Sequence, residues 1–147
     1  MSVRIYRGKG GIFHSSSCVG EVTYEKSSTD SYPLIIHIKS GSGFWGDEIA
    51  TGKKSGGLYE ITIHNKGLIL KLKERRFTTS GSSIPSDNGY SSIGKCENGK
   101  IISQKNNIVG TYSCTTGDLS EIVITTLASI GAGLLLSSEL NIDNNFN

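Results

Sequence analysis

Leu119-Ser120-Glu121-Ile122-Val123-Ile124-Thr125-Thr126-Leu127-Ala128-Ser129-Ile130-Gly131-Ala132-Gly133-Leu134-Leu135-Leu136 is the stretch whose reading decides the fold. Leu119, Ile122, Val123, Leu127, Ile130 and Leu134 recur at helical spacing. Asp118 is placed to cap a helix beginning at Leu119, and Glu121 suits the positive end of its dipole. The other side carries Ile124, Ala128, Ala132 and Leu135, so the segment is apolar nearly all round. Such a helix is enclosed on several sides or lies in lipid. From Ile122 to Ser138 there is no charge over about 17 residues, the lower limit for a membrane span. Against a span stand the polar and small residues Thr125, Thr126, Ser129, Gly131 and Gly133. No Lys or Arg follows the segment, and no aromatic belt brackets it. The expectation is a core helix gripped by a sheet, with small residues where strands come close. A membrane-inserting helix and a helix joining two copies of the chain are the alternatives.

The chain before this segment alternates with period two, the signature of half-buried strands. Val3 and Ile5 mark a first strand; Val22 and Tyr24 mark a second; Leu34-Ile35-Ile36-His37-Ile38 is a more central third. Residues 58–75 form a hairpin. Keeping Tyr59, Ile61 and Ile63 on one side with Leu68, Leu70 and Leu72 requires Ile63 opposite Leu68, Ile61 opposite Leu70 and Tyr59 opposite Leu72. That register leaves His64-Asn65-Lys66-Gly67 as the loop and sets Glu60 across from Lys71. Asn98-Gly99 marks a second hairpin with arms over 92–96 and 101–104, polar enough for a sheet edge. A further strand is expected over 108–114, residues 78–89 form the longest irregular loop, and the tail 141–147 is expected to fray.

The predicted fold is therefore α+β: a curved, mainly antiparallel sheet or partly closed β-barrel of about 7–8 strands on one apolar C-terminal helix, about 119–137, in a single domain over 1–140. In architecture alone this resembles the barrels of the tubby-like and scramblase-like group, which enclose a C-terminal helix; no motif of that group occurs here.

Composition narrows function only a little. A chain of 147 residues can bury a full core without staples. A net charge of +2 supplies no strong drive toward nucleic acid. Cys18, Cys96 and Cys114 are odd in number and form no CxxC pair, and the N-terminal residues lack a signal-like apolar run. A cytoplasmic protein with thiols is expected, without a metal or other cofactor.

Chemical signatures are weak. Gly46-Asp47-Glu48-Ile49-Ala50-Thr51-Gly52-Lys53-Lys54-Ser55 approximates a phosphate-binding loop, but its spacing is one residue too long and Lys54 stands where Ser or Thr is needed. It reads as a turn. Ile5-Tyr6-Arg7-Gly8 is similar to the first-strand arginine element of arginine-type ADP-ribosyltransferases. That likeness implies an E-x-E or Q-x-E element carrying a catalytic Glu, which this sequence lacks, so the activity is not expected. His14, His37 and His64 lie in separate segments, with His37 and His64 directed to solvent by the alternation. Lys71, Lys73 and Arg75, with Lys66 and Arg76 nearby, form a candidate for anion or nucleic-acid contact, without the interleaved aromatics that base stacking uses.

Phe44 and Trp45, flanked by glycines and followed by Asp47, form the candidate binding loop, with His14 as a further candidate. The functional expectation is a non-enzymatic domain that binds a protein or small ligand there. A small enzyme drawing on His14, Asp47 and Glu48 and a membrane-interacting protein are the alternatives. Neither nucleic acid nor membrane is the expected partner; self-association remains open.

Overall fold

Alternating apolar residues build ten strands among the residues that the computed structural model describes, namely 2–8, 18–25, 33, 35–41, 46–86, 89, 91–115 and 119–145. In chain order they are β1 (Ser2–Arg7), β2 (Cys18–Glu25), β3 (Ile35–Ser40), β4 (Asp47–Ser55), β5 (Leu58–Ile63), β6 (Leu68–Lys73), β7 (Ser82–Pro85), β8 (Ser92–Glu97), β9 (Lys100–Ser103) and β10 (Ile108–Cys114). A 3₁₀ turn, Glu74–Arg76, follows β6. Two helices end the chain, α1 (Glu121–Leu135) and α2 (Ser137–Asn145).

All neighbours pair antiparallel in the order β6-β5-β4-β3-β2-β1-β10-β9-β8-β7. Only the β1–β10 pair joins strands distant in sequence, and it turns a meander into a nearly closed barrel. The ends of the sheet, β6 and β7, face each other across a seam: Leu70 and Leu72 of β6 line one narrow cavity with Pro85 of β7. Proline donates no hydrogen bond, so it is tolerated on such an edge.

The β5–β6 hairpin has the expected register, with Ile63 opposite Leu68, Ile61 opposite Leu70, Tyr59 opposite Leu72 and Glu60 opposite Lys71. The second hairpin turns at Asn98 and Gly99, both at positive φ, with Glu97 opposite Lys100.

Several details differ from the sequence expectation. The sheet has ten strands among the described residues, where about 7–8 were expected. Residues 47–55 are the strand β4 between β3 and β5, not a turn; Gly52 stands there because a Cβ would come 2.5 Å from Ile61 Cδ1. The irregular 78–89 stretch contains β7, which covers β8 and takes the edge from the second hairpin. The helix starts at Glu121 with Ser120 at the N-cap position. It ends at Leu135, and the chain bends by 78° into α2, so residues 141–145 of the expected tail are helical. Leu34 and Asp118 lie outside the described residues.

The interior of the barrel is filled by α1. Leu127, Ala128 and Ala132 are wholly buried, with Val123 and Ile130 nearly so. Val3, Ile5, Val22, Ile36 and Ile38 meet the helix from the sheet side. A Cβ on Gly131 would sit 2.5 Å from Val22 Cγ2, and one on Gly133 would sit 2.9 Å from the Pro85 carbonyl. The buried hydroxyls find partners: Thr125 donates to the Thr78 carbonyl at 2.9 Å, Ser129 to that of Ser82 at 3.2 Å, and Thr126 back to Ile122 at 2.6 Å. Two of these bonds tie α1 along β7 and its approach. Outside the barrel α2 is pinned by buried Leu140, an Arg7–Glu139 ion pair and an Asp143 carboxylate that accepts from Ser103 and Asn107.

Candidate functional site

The helix is off-centre in the barrel. It leans on β1, β2, β7 and β8, and stands away from the β4–β6 wall. The space left there is a cleft of about 190 Å³ that opens where β6 begins and α1 ends. Ile49, Ile63, Leu68 and Leu134 form its apolar walls, and Asn65, Lys66 and Ser137 its polar rim. A separate void of about 10 Å³, bordered by the same Gly133 and Leu134, lies between Ile61, Leu70, Leu72 and Ile130 under the seam. Leu68, expected to share the core face with Leu70 and Leu72, is instead 38% exposed at the mouth. Its neighbour Ile69 points outward and is 50% exposed.

The loop at the mouth is built by the hairpin register. Gly67 takes φ of +58°, which lets residues 64–67 close β5 onto β6 and sets Lys66 at the tip. Asp47 begins β4 at this same end, since it pairs with Ser40 while Ala50, three residues on, pairs with Ile63. It is exposed there and does not line the cleft. Phe44, Trp45 and His14 lie outside the described residues.

Two histidines expected to be solvated take part in a surface network. On the outer face, His37 Nδ1 lies 2.5 Å from Glu48 Oε1 and its Nε2 lies 3.7 Å from Glu25 Oε1, while His64 Nε2 is 4.0 Å from Glu48 Oε2. Glu48 thus orients the His37 ring. The network sits on the outside of the barrel because Ile36 and Ile38, flanking His37, face in. Among the described residues no group of three or more His, Cys, Asp or Glu is arranged to hold a metal ion.

The basic residues of β6 are not gathered into a pocket. Lys71 lies in a row with Glu60 and Lys53, so the charge alternates across three strands. Lys73 stands opposite Leu58, and Arg75 is exposed on the 3₁₀ turn. At the far end of the barrel, an open and mainly polar hollow of about 380 Å³ lies between Tyr112, Cys114 and Glu121. Burial pushes the Tyr112 phenol up to about 12 and the Cys96 thiol up to about 12.

The apolar cleft was invisible to period-two and helical counting. Those patterns say which side chains face inward, but not toward which wall an enclosed helix leans. Only Lys66, two residues before Leu68 at the start of β6, marks the place in the sequence where the mouth lies. Among the described residues no single helix is long and apolar enough to cross a membrane; α1 and α2 pass by composition only as a sharply bent pair. No protein-family model, curated protein or solved structure matches this chain.

Proposed function

We propose that the chain is a binding domain that takes an apolar group into the cleft between α1 and the β5–β6 hairpin. One observation carries this: a cleft with aliphatic walls opens to the surface at a mouth rimmed by polar side chains. Protein interiors are close-packed, and a gap lined by Ile and Leu forfeits dispersion contacts on one side. An apolar guest restores them. The size favours a modest group, since apolar cavities of about 150 Å³ accept benzene and sites for drug-sized ligands run from about 300 Å³.

The test is titration with a small neutral apolar probe, toluene, followed by methyl NMR. Saturable shifts are expected at Ile63, Leu68 and Leu134, with Ile101 on the opposite wall unmoved. Shifts of equal size throughout the core, or none at Leu134, would overturn the assignment.

A further inference from the structure

We infer that the cleft's ligand is an anionic amphiphile, a short- to medium-chain alkyl carboxylate whose tail enters between Leu134 and Ile63 and whose head sits beside Lys66. This rests on the cleft being a binding site and adds the class of its ligand.

The argument is one of polarity along the cavity. The rim carries Asn65, Lys66 and Ser137; the walls, Ile49, Ile63, Leu68 and Leu134, are aliphatic. The outer end is wet and carries Lys66 on its rim, with Asp47 and Glu48 at the same end of the barrel but outside the cleft; the inner end is dry. Among the described residues Lys66 is the only charged side chain that lines the cleft, and no carboxylate does. Among the described residues Lys66 enters no ion pair, whereas Lys54 is held by Glu74 at 2.9 Å and Lys95 by Glu97 at 3.2 Å. Lys66 is exposed at the hairpin tip, so a bound head keeps part of its hydration while the tail is dried. A guest that is apolar throughout would leave the cation idle. A polar guest would strand its donors against Leu134.

Isothermal titration with hexanoate, octanoate and decanoate below micelle formation, and with the alcohols of equal length, tests the assignment. Affinity should rise about fourfold per methylene and then level off once the 190 Å³ of the cleft is filled. The acid should exceed its alcohol by about two- to fivefold, a margin that shrinks with added salt. Lys66→Gln, at an exposed loop position, should erase the margin and leave alcohol binding unchanged. Leu68→Trp, at the mouth, should weaken acid and alcohol alike. Chain-length dependence with no acid preference would overturn the anionic head while sparing the cleft. No chain-length dependence in either series would overturn the cleft as well. A peptide ending in leucine that binds more tightly than octanoate would transfer the site to a protein partner and overturn the amphiphile.

Discussion

Leu127→Ala measures whether α1 is held as the barrel's core. Leu127 has no solvent exposure, and it sits mid-helix between Thr126 and Ala128, which are equally buried. The substitution removes three carbons, about 2.4 kcal/mol at about 0.8 kcal/mol each. The cavity left behind adds more, because the sheet encloses the helix and cannot collapse freely. A total of about 3–4 kcal/mol is expected, inside the range seen for buried Leu→Ala changes. For a domain of this size that lowers the melting temperature by about 10 °C. Urea unfolding followed by far-ultraviolet circular dichroism gives the value, with an unchanged m-value showing that both end states keep their compactness. The control is Ile142→Ala on α2, 57% exposed, expected within about 0.5 kcal/mol of the parent. A loss below about 1 kcal/mol for Leu127→Ala, no larger than that of the control, would refute enclosure and with it the wall of the cleft.

Other outcomes follow from the same structure. Hydrogen bonds from Ser103 and Asn107 hold the Asp143 carboxyl below its ordinary 3.8; a depressed carboxyl stabilises the fold above its unfolded value, and that contribution is lost as pH falls through the folded one. The protection of α2 amides, measured as exchange relative to the intrinsic rate at each pH, should therefore fall on acidification before that of α1, and Asp143→Asn should abolish that difference; simultaneous opening of both helices would contradict the latch. At the alkaline end, burial raises Cys96 from 9.0 to about 12 and Tyr112 from 10.0 to about 12. The folded state keeps protons that the unfolded chain gives up, so stability present below pH 9.0 should decline above it. The urea midpoint should drop between about pH 9 and 11, and Cys96→Ala should delay the onset toward the ordinary Tyr112 value of 10.0; a flat profile in the parent would exclude both thiol and phenol burial. Gly99 has φ of +79° in the β8–β9 turn, so Gly99→Ala should cost about 1 kcal/mol in the same denaturation assay; no loss would mean the turn relaxes.

How far the sequence could be read depended on the range of the interaction. Register in the β5–β6 hairpin was legible because period two leaves one alignment that keeps Tyr59, Ile61 and Leu70 inside. The strand at 47–55 was missed because Gly46, Gly52 and the lysine pair look like turn chemistry. There Gly52 instead makes room for Ile61, a demand made by another strand. The strand at 82–85 was missed for a similar reason: its serines and proline suit a loop by propensity, yet Ser82 is buried and bonded to Ser129 of the helix. The helix's bend at Leu136 arises where the barrel ends and α2 turns to meet Gly94, Ser103 and Arg7. Of the site residues proposed from sequence, Asp47 lies exposed at the start of β4 and does not line the cleft, and Lys71, Lys73 and Arg75 are spread over the outer face.

By itself the sequence determined an α+β chain whose alternating strands need one covering element and whose uncharged C-terminal segment is that element. These are matters of local period and of apolar area that must leave water. The tertiary structure alone decided that β1 joins β10, that β6 and β7 stay apart, and that α1 leans away from β4–β6. Those outcomes depend on contacts between residues far apart in the chain, such as Gly131 against Val22 and Gly133 against Pro85, and the cleft is the volume such contacts leave unfilled.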